Sequence, residues 1–94
     1  MHWCYVLYSS SIDKFYIGET EDLELRITQH NSALFKNSYT SKTSDWILHV
    51  ALSCKDRSHA RKVESFIKKM KSRKFILNLK DSIKLQTDIL NRFY

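Results

Sequence analysis

The alternation of apolar and polar positions divides the chain into short blocks. Residues 3–9 (WCYVLYS) and 14–18 (KFYIG) are aromatic and rich in β-forming side chains, and four polar residues, 10–13, separate them. That pattern predicts an antiparallel hairpin. A four-residue loop sets Ser9 opposite Lys14 and Leu7 opposite Tyr16. Tyr5 and Tyr16 then become diagonal neighbours on one face, about 7 Å apart. Cys4, Val6, Tyr8, Phe15 and Ile17 share the other face as a core layer, whereas an odd loop would put the two tyrosines on opposite faces.

Residues 20–31 predict a helix capped by Thr20, with Glu21 and Asp22 in its first turn. Leu23 and Ile27 repeat on the inward side, and Asp22, Arg26 and His30 repeat at four-residue spacing on an adjacent face. Gly18, the only glycine, is expected to supply a turn between strand and helix that a Cβ would forbid. Residues 32–45 are rich in Ser, Thr and Asn and predict a long loop with room for one helical turn. The apolar run 46–52 (WILHVAL) predicts a strand covered on both faces. Ser58 is placed to cap a helix reaching about Lys71, with Ala60, Val63, Ile67 and Met70 inward. Ser72 opens a third helix packed through Phe75, Ile76 and Leu79, and residues 83–90 form a last one through Leu85, Ile89 and Leu90. The order ββαβα plus C-terminal helices predicts an α/β (α+β) fold: a small three-stranded, mainly antiparallel sheet flanked by helices.

Ninety-four residues suffice for one domain with one modest core. No apolar run reaches the length of a membrane span and no leader pattern opens the chain, so a cytoplasmic protein without membrane contact is expected. Cys4 and Cys54 lie in strand-like segments without C-x-x-C spacing, which predicts buried reduced thiols and no zinc.

Charge adds a direction. Residues 1–54 carry four Lys and Arg against six Asp and Glu, and residues 55–94 carry twelve against four. A field so polarised suits a polyanion such as nucleic acid, although a solvated lysine-rich helix face would have the same composition. Glu64 is the only carboxylate between Asp56 and Asp81.

Tyr5, the run Tyr16, Ile17 and Gly18 eleven residues later, then Arg26, His30 and Glu64 on a basic helix together resemble the GIY-YIG endonuclease superfamily. More narrowly, the chain is similar to its small standalone bacterial members, relatives of the N-terminal nuclease domain found in excision-repair nucleases. The second half of that signature is intact. The first keeps only its tyrosine, with Trp3 and Cys4 standing where the family has glycine and isoleucine. The resemblance covers about residues 3–79 within one domain of 1–94, leaving 80–94 as a helical extension, and Asn78 is a looser match.

What the resemblance implies is metal-dependent hydrolysis of phosphodiester bonds in nucleic acid, with DNA the expected polymer, in repair, recombination or mobile-element processing. Glu64 would bind one divalent cation, Mg²⁺ or Mn²⁺, as a hard oxygen ligand. Arg26 would grip a phosphate oxygen, Tyr5 with His30 would take a proton from water, and Tyr16 would orient water or phosphate. Tyrosine is a weak base at its reference pKa of about 10, so neighbouring cations are required to favour phenolate. Arg61, Lys68 and Lys69 on the basic helix, and Lys36, Tyr39 and Lys42 in the long loop, are candidate nucleic-acid contacts together with Asn78.

Each residue also has a plain structural reading. The tyrosines can be half-buried strand aromatics, Arg26 a partner of Asp22, His30 a cation at a helix end, and Glu64 a partner of Lys68. The alternative at the level of function is a nucleic-acid-binding module of the same fold without turnover; a protein-interaction domain is a further class. Signatures of other nucleases, an Asp followed by E-x-K, paired H-x-K or a His-Asn-His cluster, are absent. Oligomeric state is not legible.

Overall fold

The computed structural model describes residues 1–32 and 39–94, apart from the side chain of Tyr39. Strands β1 (His2–Ser9) and β2 (Lys14–Thr20) form the hairpin, followed by helix α1 (Leu23–Asn31), a 3₁₀ turn (Tyr39–Lys42), strand β3 (Ile47–Cys54) and helices α2 (Arg57–Met70), α3 (Arg73–Asp81) and α4 (Ile83–Arg92). The sheet is antiparallel in the order β2-β1-β3. It is therefore an α+β fold of three strands and flanking helices, as the element order predicts.

The hairpin adopts the even register, with Ser9 opposite Lys14, Leu7 opposite Tyr16 and Tyr5 opposite Gly18. Cys4 and Val6 consequently join Val50, Leu52, Ala60, Val63, Ile67, Leu79 and Ile89 in an apolar core, with Phe15 and Ile17 packed at its margin. Tyr5, Leu7 and Trp46 form a smaller cluster on the opposite face, closed by Leu23 and Ile27 of α1.

Several local expectations are corrected. Asp22, not Thr20, caps α1, its carboxylate accepting from Leu25 N; Thr20 is still paired with Trp3 in the sheet. Asp56, not Ser58, caps α2 by accepting from His59 N. Gly18 lies inside β2 without a positive φ. Among the described residues the left-handed backbone positions belong to Asp13 in the hairpin loop and Lys71 at the end of α2. β3 lies at the sheet edge and is not covered on both faces: Val50, Leu52 and Cys54 are buried, whereas Ile47, Leu48 and Ser53 are exposed. A bulge opposite Val6 and Leu7 leaves His49 out of register. Its Nε2 donates to Ile76 O at 2.9 Å and ties α3 to the sheet. His59 does the same for α4: Nδ1 accepts from Lys55 N, and Nε2–H donates to Leu90 O at 2.8 Å. Among the described residues no helix is long and apolar enough to cross a membrane.

Candidate active site

The smaller cluster gathers most of the ionisable residues that the sequence singles out. Tyr5 and Tyr16 share a face with ring centroids 6.3 Å apart, and Tyr16 lies 4.9 Å from the His30 ring. Four-residue spacing in α1 aims both Arg26 and His30 at the same phenol. The Arg26 guanidinium acts on the Tyr5 hydroxyl, favouring its ionised form, while His30 Nε2 lies 2.9 Å from it. In the tautomer whose Nε2 accepts from the Tyr5 hydroxyl, the phenol proton points at His30. His30 Nδ1 then carries a proton and donates to Thr40 Oγ1 at 2.9 Å.

Both titrations resist charge. Burial first, and then the Tyr16 phenol, push the Tyr5 hydroxyl well above the usual tyrosine range; Arg26 pulls it back only in part. Burial, with the Arg26 charge second, lowers the His30 imidazole to about 4. The resting pair is a neutral phenol and a neutral imidazole, so one neighbouring cation does not by itself produce phenolate.

Gly18 has a tertiary explanation. A Cβ built there would sit 2.6 Å from Tyr5 Oη and 2.8 Å from Cζ. Glycine in the neighbouring strand thus makes room for the phenol, which is a close-approach requirement and not a turn.

Thr40 is a functional candidate that the sequence did not disclose. It is 2% exposed and held by tertiary contacts. Trp46 Nε1 donates to Thr40 O at 3.0 Å, and Asn31 brackets the Trp46 backbone through bonds of 2.8 and 2.9 Å. Just before Trp46, the Asp45 carboxylate accepts from Ser9, Ser10, Ser11 and Thr43. These bonds, that with Ser9 first, hold its pKa far below the ordinary carboxylate range.

Glu64 approaches from the other side. Helix α2 packs against β1 and β2 with Ala60, Val63 and Ile67 in the Cys4 core, on the opposite face from Tyr5, and the Glu64 charge is the last of the influences on the Tyr5 hydroxyl. Its carboxylate is 18% exposed and accepts from Lys68 Nζ at 2.6 Å. It lines a cleft with Arg61, Ser65, Lys68, Lys69 and Lys71. The pair with Lys68 matches the plain structural reading of Glu64, but that with Asp22 does not describe Arg26: Asp22 is occupied as a cap and Arg26 turns toward Tyr5 and Gln29. Nor is His30 a surface cation, being 5% exposed.

The remaining expected contacts are more scattered. Lys42 is exposed on the 3₁₀ turn. Asn78 is exposed on α3, whose buried Ile76 and Leu79 enter the core on the opposite face from Tyr5. Lys36 and the Tyr39 side chain lie outside the described residues. No group of three or more His, Cys, Asp or Glu side chains converges among the described residues. One accessible carboxylate fits a hard cation that keeps water and substrate oxygens as its other ligands, not a preformed cage.

The family model for the GIY-YIG catalytic domain matches residues 1–78. No curated protein and no solved structure matches significantly. The matched span contains the hairpin, α1, Thr40, β3, α2 and most of α3, and with it all the residues gathered around Tyr5 together with Glu64. The chain belongs to the GIY-YIG family.

Proposed function

We propose that this protein is a metal-dependent endonuclease that hydrolyses phosphodiester bonds, with DNA as the expected polymer. Membership of a nuclease family and a nucleic-acid substrate go together. The observation that carries the reading furthest is the buried Tyr5 hydroxyl 2.9 Å from His30 Nε2, with the Arg26 charge acting on it. A guanidinium, a phenol with a proton acceptor behind it and a hard carboxylate are the groups that phosphoryl transfer to water requires.

In this mechanism Arg26 holds a non-bridging phosphate oxygen and Tyr16 orients the water or phosphate. Tyr5 takes up the water's proton as its own passes to His30 Nε2, and the resulting imidazolium donates through Nδ1 to Thr40. The negative phosphate offsets the Arg26 charge that lowers His30, which makes proton uptake easier with substrate present. Tyr5 is 1% exposed, so substrate entry has to open its hydroxyl to the cleft. Glu64 would hold the divalent cation, Mg²⁺ or Mn²⁺, and release Lys68 to the nucleic-acid backbone. When bound, that cation polarises the phosphate and steadies the leaving oxygen. Repair, recombination or mobile-element processing are the settings such cleavage serves, in the cytoplasm.

Arg61, Lys68 and Lys69 surround the Glu64 cleft and supply phosphate contacts, to which Lys36, Tyr39, Lys42 and Asn78 add. A second reading, a binding module without turnover, draws on the Lys68 pair at 2.6 Å, which is what an inert basic helix would also contain. Glu64→Gln separates the two. Cleavage in Mn²⁺ is expected to fall by several orders of magnitude with nucleic-acid affinity kept or slightly raised, since the ion supplies a few kcal/mol of transition-state stabilisation. No cleavage by either protein would leave only the binding module, and equal non-zero time courses for wild type and a Glu64→Gln protein of matched thermal melt would remove Glu64 from the mechanism.

A further inference from the structure

Helix α4 lies beyond the span that the family model matches, yet it shapes a groove beside the Glu64 cleft. Lys62, Ser65, Phe66 and Lys69 of α2 and Arg92 and Phe93 at the end of α4 line it. Ser65 and Lys69 also line the cleft around Glu64, so the two depressions adjoin along α2. The Phe66 and Phe93 rings lie 5.4 Å apart at an angle of 55°. The Arg92 guanidinium sits 4.8 Å from the Phe66 ring and 5.7 Å from that of Phe93. An anchor for α4 explains why Phe66 packs between Phe75 and Phe93. It does not explain why three cations rim a half-buried aromatic surface that no acidic side chain lines.

Aromatic planes stack any base, a guanidinium plane does likewise, and lysines at the rim meet phosphate. A paired base shows no free face to such a groove, but an unpaired one does. We propose that this groove seats an unpaired nucleotide of the substrate, its base against Phe93 and Arg92 and its phosphate between Lys62 and Lys69. The proposal rests on the nucleic-acid reading of the Glu64 cleft. It adds the substrate class, a strand with an unpaired segment next to the bond to be cut, and it gives the C-terminal helix a role in recognition.

The test is fluorescence anisotropy in EDTA, which prevents cleavage, with three DNAs: a blunt duplex, the same duplex with a short single-stranded tail, and that duplex with an abasic tail. The abasic tail keeps the phosphates and removes the bases. Wild type should bind the base-containing tail about tenfold more tightly than the abasic one, within the range that stacking of a base on an aromatic ring supplies. Phe93→Leu, which keeps the apolar volume, should bring that ratio to near one. If Phe93→Leu melts early, Arg92→Gln on the exposed rim should lower the same ratio. Equal affinity of wild type for the two tails overturns the groove and leaves the nuclease reading standing. No binding of any of the three DNAs at low salt overturns both.

Discussion

The two faces of this sheet are built from alternate residues of the same strands and have opposite chemistry. Beneath one lie Cys4, Val6, Val50, Leu52, Val63 and Ile67, an aliphatic layer sealed by α2, α3 and α4. Against the other lie Tyr5, Leu7 and Trp46 under α1, with His30 and Thr40 buried among them. The first face needs only volume and hydrophobicity. The second needs directed bonds, since its buried polar groups are costly unless each finds a partner. A hairpin register of period two thus places an aliphatic layer on one face and a hydrogen-bonded polar cluster on the other.

The sharpest way to break that division is to compare Tyr5→Phe with Val63→Ala. Removing the phenol oxygen should lower cleavage by about 10²- to 10⁴-fold, the usual worth of a proton-transfer group, while the fold persists. Val63 is fully buried in the aliphatic layer. Its truncation should cost about 2 kcal/mol of stability and leave the rate of the folded fraction nearly unchanged. Rates and urea unfolding of both variants check this, and similar profiles for the two would erase the distinction.

Gly18→Ala comes next, because it acts on the chemical face without touching a functional group. The added carbon would fall 2.6 Å from Tyr5 Oη, and the enclosed ring has little room to retreat. A stability loss of about 1–3 kcal/mol from overpacking and a rate loss of about 100-fold from misplacement are expected. In a Tyr5→Phe background the same change should lower the rate little further, because the oxygen it displaces is already gone. Additive rate losses in the double mutant would mean that Gly18 acts elsewhere.

A smaller effect is expected of Thr40→Val, which keeps the shape but removes the acceptor for His30 Nδ1–H. The imidazole becomes a poorer proton acceptor for Tyr5, and cleavage should drop about tenfold, at the lower margin of general-base effects. Thr40→Ser should restore it. Equal rates for Val, Ser and wild type would reduce Thr40 to a packing residue.

How much of this is legible in the sequence depends on whether a local rule sets the geometry. Period two and an even loop give the partners of Tyr5 and Tyr16, and four-residue spacing puts Arg26 and His30 on one flank. Glu64 stands out as the one acid in a basic helix. Gly18 misleads because a glycine beside a helix start suggests a backbone turn, whereas its real constraint is a ring on the neighbouring strand. Thr40 carries no signal at all: one threonine in a polar stretch is ordinary until Trp46, itself held by Asn31, fixes it beside His30. The apolar run of β3 overstates its burial, since only alternate residues of the strand, Val50, Leu52 and Cys54, meet the core and Ile47 and Leu48 at its start face solvent. The caps move because pairing with Trp3 keeps Thr20 in the sheet, so the first residue free to leave it with a suitable side chain is Asp22.

The smallest expected effect is one of pH on stability, and it too separates the faces. Folding lowers His30 to about 4 from an ordinary 6.5 because burial disfavours the imidazolium and Arg26 repels it. In the unfolded chain the ring takes a proton as pH falls through 6.5; in the folded one it does not until about 4. The unfolded state therefore binds more protons across that window, and stability falls with decreasing pH from about 6.5 and levels near 4. The slope has a ceiling of about 1.4 kcal/mol per pH unit, and about 1–2 kcal/mol should be lost between about pH 7 and pH 5. Asp45 does not confound the measurement, since its carboxyl has an ordinary value of 3.8 and is lowered in the fold; the stability it contributes is lost only as pH falls below that value. Urea unfolding at about pH 7 and pH 5 should show the loss in wild type and not in His30→Gln, whereas Val63→Ala should be weaker by the same amount at both. A pH dependence that survives His30→Gln undiminished would place its origin outside the chemical face and break the comparison there.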